Sequence, residues 1–100
     1  MSDEIKYHPK ALTEAFGSAR YYNRQQEGLG AEFFYALDVC FAQLRQDPLR
    51  QKPDEDGVRS WRLHRFPFRV YYAIDPSRIR ILAVAHLKRR RGYWRQRMEE

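Results

Sequence analysis

One hundred residues with 19 Lys/Arg against 13 Asp/Glu carry a net charge of +6, and 43% hydrophobic with 15% aromatic content places the chain among globular rather than disordered sequences, with material for one core. The lone Cys40 excludes an intramolecular disulfide, and His8, His64 and His86 stand too far apart for zinc-ligand spacing, so neither a metal nor a cofactor is expected. The opening MSDEIKYHPK has no apolar signal core and no window reaches the ~20 apolar residues of a membrane span, which predicts a soluble cytoplasmic protein without a membrane partner.

Ile5 to His8 reads as a short strand, stopped by Pro9, which suits the first position of a helix because its missing N–H would be unpaired there. Leu12, Ala15, Phe16, Ala19 and Tyr22 then recur at spacings of three and four and predict a helix whose apolar stripe they form, with Glu14 largely outside it. Gly28 and Gly30 mark a tight break. A second helix is predicted from Leu29 to about Gln46, with Phe33, Leu37, Cys40, Phe41 and Leu44 inward and Cys40 as core filler. So short a link predicts an antiparallel helical hairpin.

After the polar connection through Asp47-Pro48 and QKPDEDG the period changes to two. Val58 to His64 predicts a strand with Trp61 and Leu63 on one face and Ser60, Arg62 and His64 on the other. In Phe66 to Asp75, the residues Phe66, Phe68, Val70, Tyr72 and Ile74 share the core face, opposite Arg69, Tyr71 and Ala73. Arg78 to His86 gives a third strand, with Ile79, Ile81, Ala83 and Ala85 assigned to the core and Arg78, Arg80, Leu82, Val84 and His86 to the other face. The expected architecture is an α+β domain over residues 1–100, ordered β-α-α-β-β-β. It has an antiparallel sheet, the helical hairpin on one face and a short C-terminal helix. Arg62, Arg69 and His86 would then share an open face. Of the two aromatics after that strand, Trp94 is expected to be the buried anchor and Tyr93 the more exposed.

Charge is unevenly distributed. Residues 1–58 hold seven Lys/Arg and ten Asp/Glu, whereas residues 59–100 hold twelve and three, a difference of −3 against +9. So dense a basic segment calls for a polyanion or an acidic partner.

Four stretches, GLGAEFF, Asp47-Pro48, GVRSWRLHRFPFRVYYAID and ILAVAHLKRRRGYW, in this order and spacing, resemble the RelE/ParE superfamily of toxins from bacterial type II toxin–antitoxin systems of the plasmid-stabilisation kind. Two chemistries share that scaffold. The leading expectation from the resemblance is a ribosome-dependent, metal-free mRNA endonuclease, in which a ribose 2′-hydroxyl attacks the adjacent phosphate. The alternatives are a ParE-type toxin that binds and inhibits DNA gyrase without nuclease chemistry, and a non-toxic relative that binds nucleic acid or protein. The nuclease reaction needs cations around the phosphate, a base and an acid.

By resemblance, Arg69 falls at a phosphate-binding arginine and Arg62 at a position usually basic. Ser60 stands where some nucleases place a lysine base, and Lys88 or Arg89 aligns with a further catalytic arginine. Tyr93 matches a base-stacking tyrosine, and His86 ends the last strand as in both branches. The expected catalytic set is therefore Arg62, Arg69, His86, Arg89 and Tyr93. Lys88, Arg90, Arg91 and Tyr71 are the expected nucleic-acid contacts. The implied partners are a cognate antitoxin with an acidic amphipathic segment, and either ribosome and mRNA or DNA gyrase.

Overall fold

In the computed structural model, which describes residues 4–100, a short strand β1 (Ile5–Tyr7) leads into two helices, α1 (Pro9–Gln25) and α2 (Leu29–Gln46). Three further strands follow, β2 (Arg59–Arg62), β3 (Phe68–Asp75) and β4 (Arg78–His86), and then a single 3-10 turn at Arg95–Glu99. Met1 to Asp3, part of the expected 1–100 domain, lie outside the described residues. No helix among those residues is long and apolar enough to cross a membrane.

The strands form one sheet ordered β1-β4-β3-β2. β2, β3 and β4 make the expected antiparallel meander, but β1 pairs parallel to β4, so the sheet is mixed rather than antiparallel. Two hairpin reversals bring β4 to the N-terminal strand running in the same direction, and the helical hairpin supplies the crossover this requires.

Both helices lie on one face of the sheet. α1 seats itself through Ala11, Ala15 and Ala19, spaced by four, and not through the bulkier stripe expected: Leu12 and Phe16 are 41% and 57% exposed. Small side chains let the helix axis come close to β4 and α2, which pushes larger neighbours to the margin, where Phe16 meets Phe34 edge-on at 5.3 Å. The approach is tightest at Gly30, where a Cβ would stand 2.6 Å from the Ala19 carbonyl oxygen. Asn23 Oδ1 accepts the Gly28 and Gly30 N–H groups, ordering the link and the exposed start of α2. Below α2, Phe33 makes T-shaped contacts with Phe66 and Phe68 at 5.2 and 5.0 Å, and Cys40 is buried in the same core as expected.

β2 is shorter than the expected Val58–His64 and β3 starts at Phe68 rather than Phe66, because the connection turns at Arg65, whose φ of 77° is left-handed. The larger departure lies in β4. Tyr71 opposes Ala83 and Tyr72 opposes Ile81, so Leu82 is an extra residue without a partner, a β-bulge that inverts the alternation beyond it. Ala83 and Ala85, expected in the helix-side core, turn to the opposite face. Val84 and His86, expected on that opposite face, turn toward the helices, His86 lying opposite Phe68.

That opposite face is also not fully open. Trp94, 1% exposed, packs on Tyr71 at 5.2 Å and closes a second small core with Val58, Leu82 and Ala83. The segment carrying it is one 3-10 turn and not the short helix expected. Gly92, at φ 84°, breaks the chain direction just before it, and the Arg80 guanidinium donates to the carbonyls of Arg97, Met98 and Glu100, tying the turn to β4.

Candidate functional site

The bulge and the C-terminal turn meet at Glu14. Beyond Ile81, β1 no longer covers the outer edge of β4, so Leu82 and Val84 present unpaired backbone groups there. Glu14 Oε1 accepts the Val84 N–H at 3.0 Å, and Arg97 Nη1 donates to the Leu82 carbonyl at 3.0 Å. Arg97 also donates to both Glu14 oxygens, at 3.0 and 2.8 Å, and the Tyr93 hydroxyl donates to Glu14 Oε2 at 2.8 Å. Burial works against the Arg97 charge, but the Glu14 hydrogen bonds and charge outweigh it and hold the guanidinium above its usual pKa. Burial first, then the Glu14 contact, pushes the Tyr93 phenol well above the ordinary tyrosine range, so it stays a donor.

The same network decides what the expected catalytic residues can reach. Tyr93 is half-buried, more exposed than Trp94 as expected, and its ring has the Arg89 guanidinium 3.9 Å and the Arg97 guanidinium 4.9 Å from its centroid. It is occupied as a stacking surface. Tyr71, expected as a second platform, lies against Trp94.

His86 sits edge-on to Phe68 at 5.2 Å, on the helix side of the sheet. Its Nδ1 accepts the Lys88 backbone N–H at 3.0 Å, so the neutral ring carries its proton on Nε2 and offers a donor, not a base.

Arg62 and Arg69 are directly opposite each other on β2 and β3, on the other side of that sheet. Arg69 Nη1 donates to Ser60 Oγ at 3.2 Å, and Arg62 Nη1 donates to the Leu63 and Phe66 carbonyls at 3.3 and 2.7 Å. With Arg50 they flank a recess of about 910 Å³ beside Trp61. Like charges directly opposite repel, which makes this pair a receptive place for an anion. The structure thus brings together Arg62 with Arg69, and His86 with Arg89, but separates the two groups by the thickness of the sheet.

Much of the basic excess is spent internally. Arg59 donates to the Leu49 and Gln51 carbonyls, Arg65 pairs with Glu32, Arg80 clamps the C-terminal turn, and Arg95 pairs with Asp56 and Glu55. Arg95 thereby balances the acidic loop Asp54 to Asp56. Lys88, Arg90 and Arg91 are exposed and make no side-chain hydrogen bond or ion pair among the described residues. They form the available cationic rim. Glu14 and Arg97 went unnoticed in the sequence because they stand 83 positions apart and each reads as surface charge.

A family model described as ParE toxin of type II toxin-antitoxin system, parDE, matches residues 5–91 of the chain. Among solved structures, a chain from the chromosomal ParDE TA system of P. aeruginosa superposes with a TM-score of 0.74 at 21% identity, covering 83% of this chain and 94% of that one. That likeness is one of fold. No curated protein sequence matches.

Proposed function

The chain belongs to the ParE toxin family of type II toxin–antitoxin systems, and from that premise we propose that it acts by holding a macromolecular target rather than by cleaving RNA. One observation carries this reading: the arginine pair Arg62–Arg69 and the ionisable candidates His86 and Tyr93 do not share a site. An RNA phosphate seated on Arg62 and Arg69 has neither His86 nor Tyr93 beside it. His86 lies across the sheet with Nδ1 engaged, and the Tyr93 proton is committed to Glu14. Metal-free cleavage needs those groups within hydrogen-bond reach of the ribose hydroxyl and the leaving oxygen.

What remains is a binding surface. Lys88, Arg90 and Arg91 form its exposed part, with the Arg62–Arg69 pair as a second positive patch. By its resemblance to the ParE branch, the target is DNA gyrase. The partner that neutralises the toxin is a cognate antitoxin whose acidic amphipathic segment covers the same rim. Arg62, Arg69, Lys88, Arg89, Arg90 and Arg91 act in this reading by charge and hydrogen bonding, not by proton transfer.

The test is the state of mRNA in stalled translation complexes given excess purified protein, with 3′-ends mapped. Intact message is the expected outcome. New ends bearing 2′,3′-cyclic phosphate that vanish with Arg69→Ala would establish the nuclease instead.

A further inference from the structure

We infer that the cleft between α1 and the end of β4 is a binding site for a phosphorylated nucleoside, its ring system against Tyr21 and Tyr22 and its phosphate on Arg89 and His86. The site is on the helix side of the sheet, away from the Arg62–Arg69 pair, and requires neither the target nor the antitoxin of the reading above.

The cleft measures about 510 Å³, within the range of small-molecule sites. One wall is aromatic: Tyr21, 51% exposed, stands edge-on to Tyr22 at 5.4 Å, and Tyr22 is fixed in turn against Phe66 at 4.9 Å and Phe68 at 6.1 Å. A ring anchored this way is a stacking surface with little freedom to lose. Beside it on α1, Gly17 carries no side chain and nothing stands within 4 Å of where its Cβ would be, which leaves room for a ligand.

The opposite wall supplies donors. The Arg89 guanidinium lies 3.9 Å from the Tyr93 ring centroid, and no acceptor among the described residues takes its N–H groups. Stacking of this kind orients a guanidinium while leaving its N–H fork for an oxyanion. His86, with Nδ1 engaged by the Lys88 N–H, has Nε2–H as its remaining polar atom. Glu14 also lines the cleft, but both its oxygens are engaged and Arg97 matches its charge. Arg89 is thus the uncompensated charge of the cleft, which Lys88, Arg90 and Arg91 do not line. A lone carboxylate would leave the aromatic wall unused, and an uncharged aromatic would leave Arg89 unpaired. A nucleoside phosphate uses both walls. The same chemistry occurs in a free mononucleotide and at the 5′-phosphorylated end of a single strand.

Calorimetric titration of the full chain separates these sources and tests the site. The probes are uridine and adenosine 5′-monophosphates, the parent nucleosides, inorganic phosphate, and a short oligonucleotide with and without a 5′-phosphate. Mononucleotides are expected to bind at least about tenfold more tightly than nucleoside or phosphate alone. Arg89→Ala and Tyr21→Ala should each weaken them about tenfold, while Arg90→Ala with Arg91→Ala should change affinity by less than about threefold. Tighter binding of the phosphorylated oligonucleotide, with the same sensitivity to Arg89 and Tyr21, assigns the site to strand ends; tighter binding of the mononucleotide assigns it to the free ligand. If Arg89→Ala unfolds the chain, Arg89→Lys and the Tyr21 ring resonances of the wild type under titration give independent readouts. Absence of saturable mononucleotide binding up to about 10 mM overturns the inference. So does binding that ignores Arg89 and Tyr21 but falls with the Arg90/Arg91 substitutions.

Discussion

Replacing Glu14 by alanine should destabilise this chain more than most single changes at its surface. The substitution removes the acceptor for four hydrogen bonds at once: the Val84 N–H, the Tyr93 hydroxyl and two N–H groups of Arg97. Its main cost lies in what it leaves behind. The Arg97 side chain is 9% exposed, so its charge would stay in a poorly solvated place with the Leu82 carbonyl and the Tyr93 ring beside it but no anion among the described residues. Breaking one side of a buried ion pair costs roughly 3–5 kcal/mol, a large part of the roughly 5–15 kcal/mol by which a domain is stable. With a urea slope of about 1 to 1.5 kcal/mol/M for a chain of this size, the unfolding midpoint should fall by about 2 to 5 M. Glu14→Gln keeps one acceptor oxygen and should cost less, about 2 kcal/mol. The double variant Glu14→Ala/Arg97→Ala should lose less than the sum of its parts, because no unpaired charge remains. A loss below about 0.5 kcal/mol for Glu14→Ala, measured by urea unfolding followed by circular dichroism, would refute the role of this pair in latching the C-terminal turn.

Three other outcomes are expected. Gly30→Ala forces a Cβ to 2.6 Å from the Ala19 backbone oxygen, so the helices must separate, at a cost of about 1–3 kcal/mol in the same assay; a neutral or stabilising effect would contradict the close approach. Tyr72, fully buried and donating to the Pro48 carbonyl, is pushed by burial from 10.0 to about 12. An unfolded chain therefore releases this proton first, and stability present below about pH 10 should decline as pH rises toward 12, with a weaker decline in Tyr72→Phe. Association with an acidic antitoxin segment should weaken steeply between low and physiological salt, and removing Lys88, Arg90 and Arg91 together should flatten that dependence. Salt-independent binding would shift the interface to the apolar margin of the helices.

The order of elements, the helical hairpin, the β2–β3–β4 meander and the buried place of Cys40 follow from periodicity and punctuation in the sequence, whereas the superfamily comes through the resemblance of four stretches of the chain. The face of His86 does not. The segment ILAVAH is apolar on both alternations, so a one-residue bulge at Leu82 exchanges Ala for Val and costs nothing that a hydrophobic pattern can register. Alpha-helical spacing likewise counted Leu12 and Phe16 with Ala15 and Ala19, whereas close packing selected the alanines. The basic excess of residues 59–100 looked like one surface, but an arginine's preferred partner is often a backbone carbonyl, as for Arg59, Arg62 and Arg80, and no charge count reveals it. The rim at Lys88, Arg90 and Arg91, with Arg89 beside it and the Arg62–Arg69 pair apart from it, survives as surface.

The most direct test of a target-holding toxin is a DNA supercoiling assay with purified gyrase, titrated with the wild-type chain and with the Lys88→Ala/Arg90→Ala/Arg91→Ala variant. The wild type is expected to inhibit supercoiling saturably, and the variant, folded as judged by circular dichroism, to require about tenfold more protein or higher. Gyrase that supercoils at full rate in excess folded wild-type chain would contradict it.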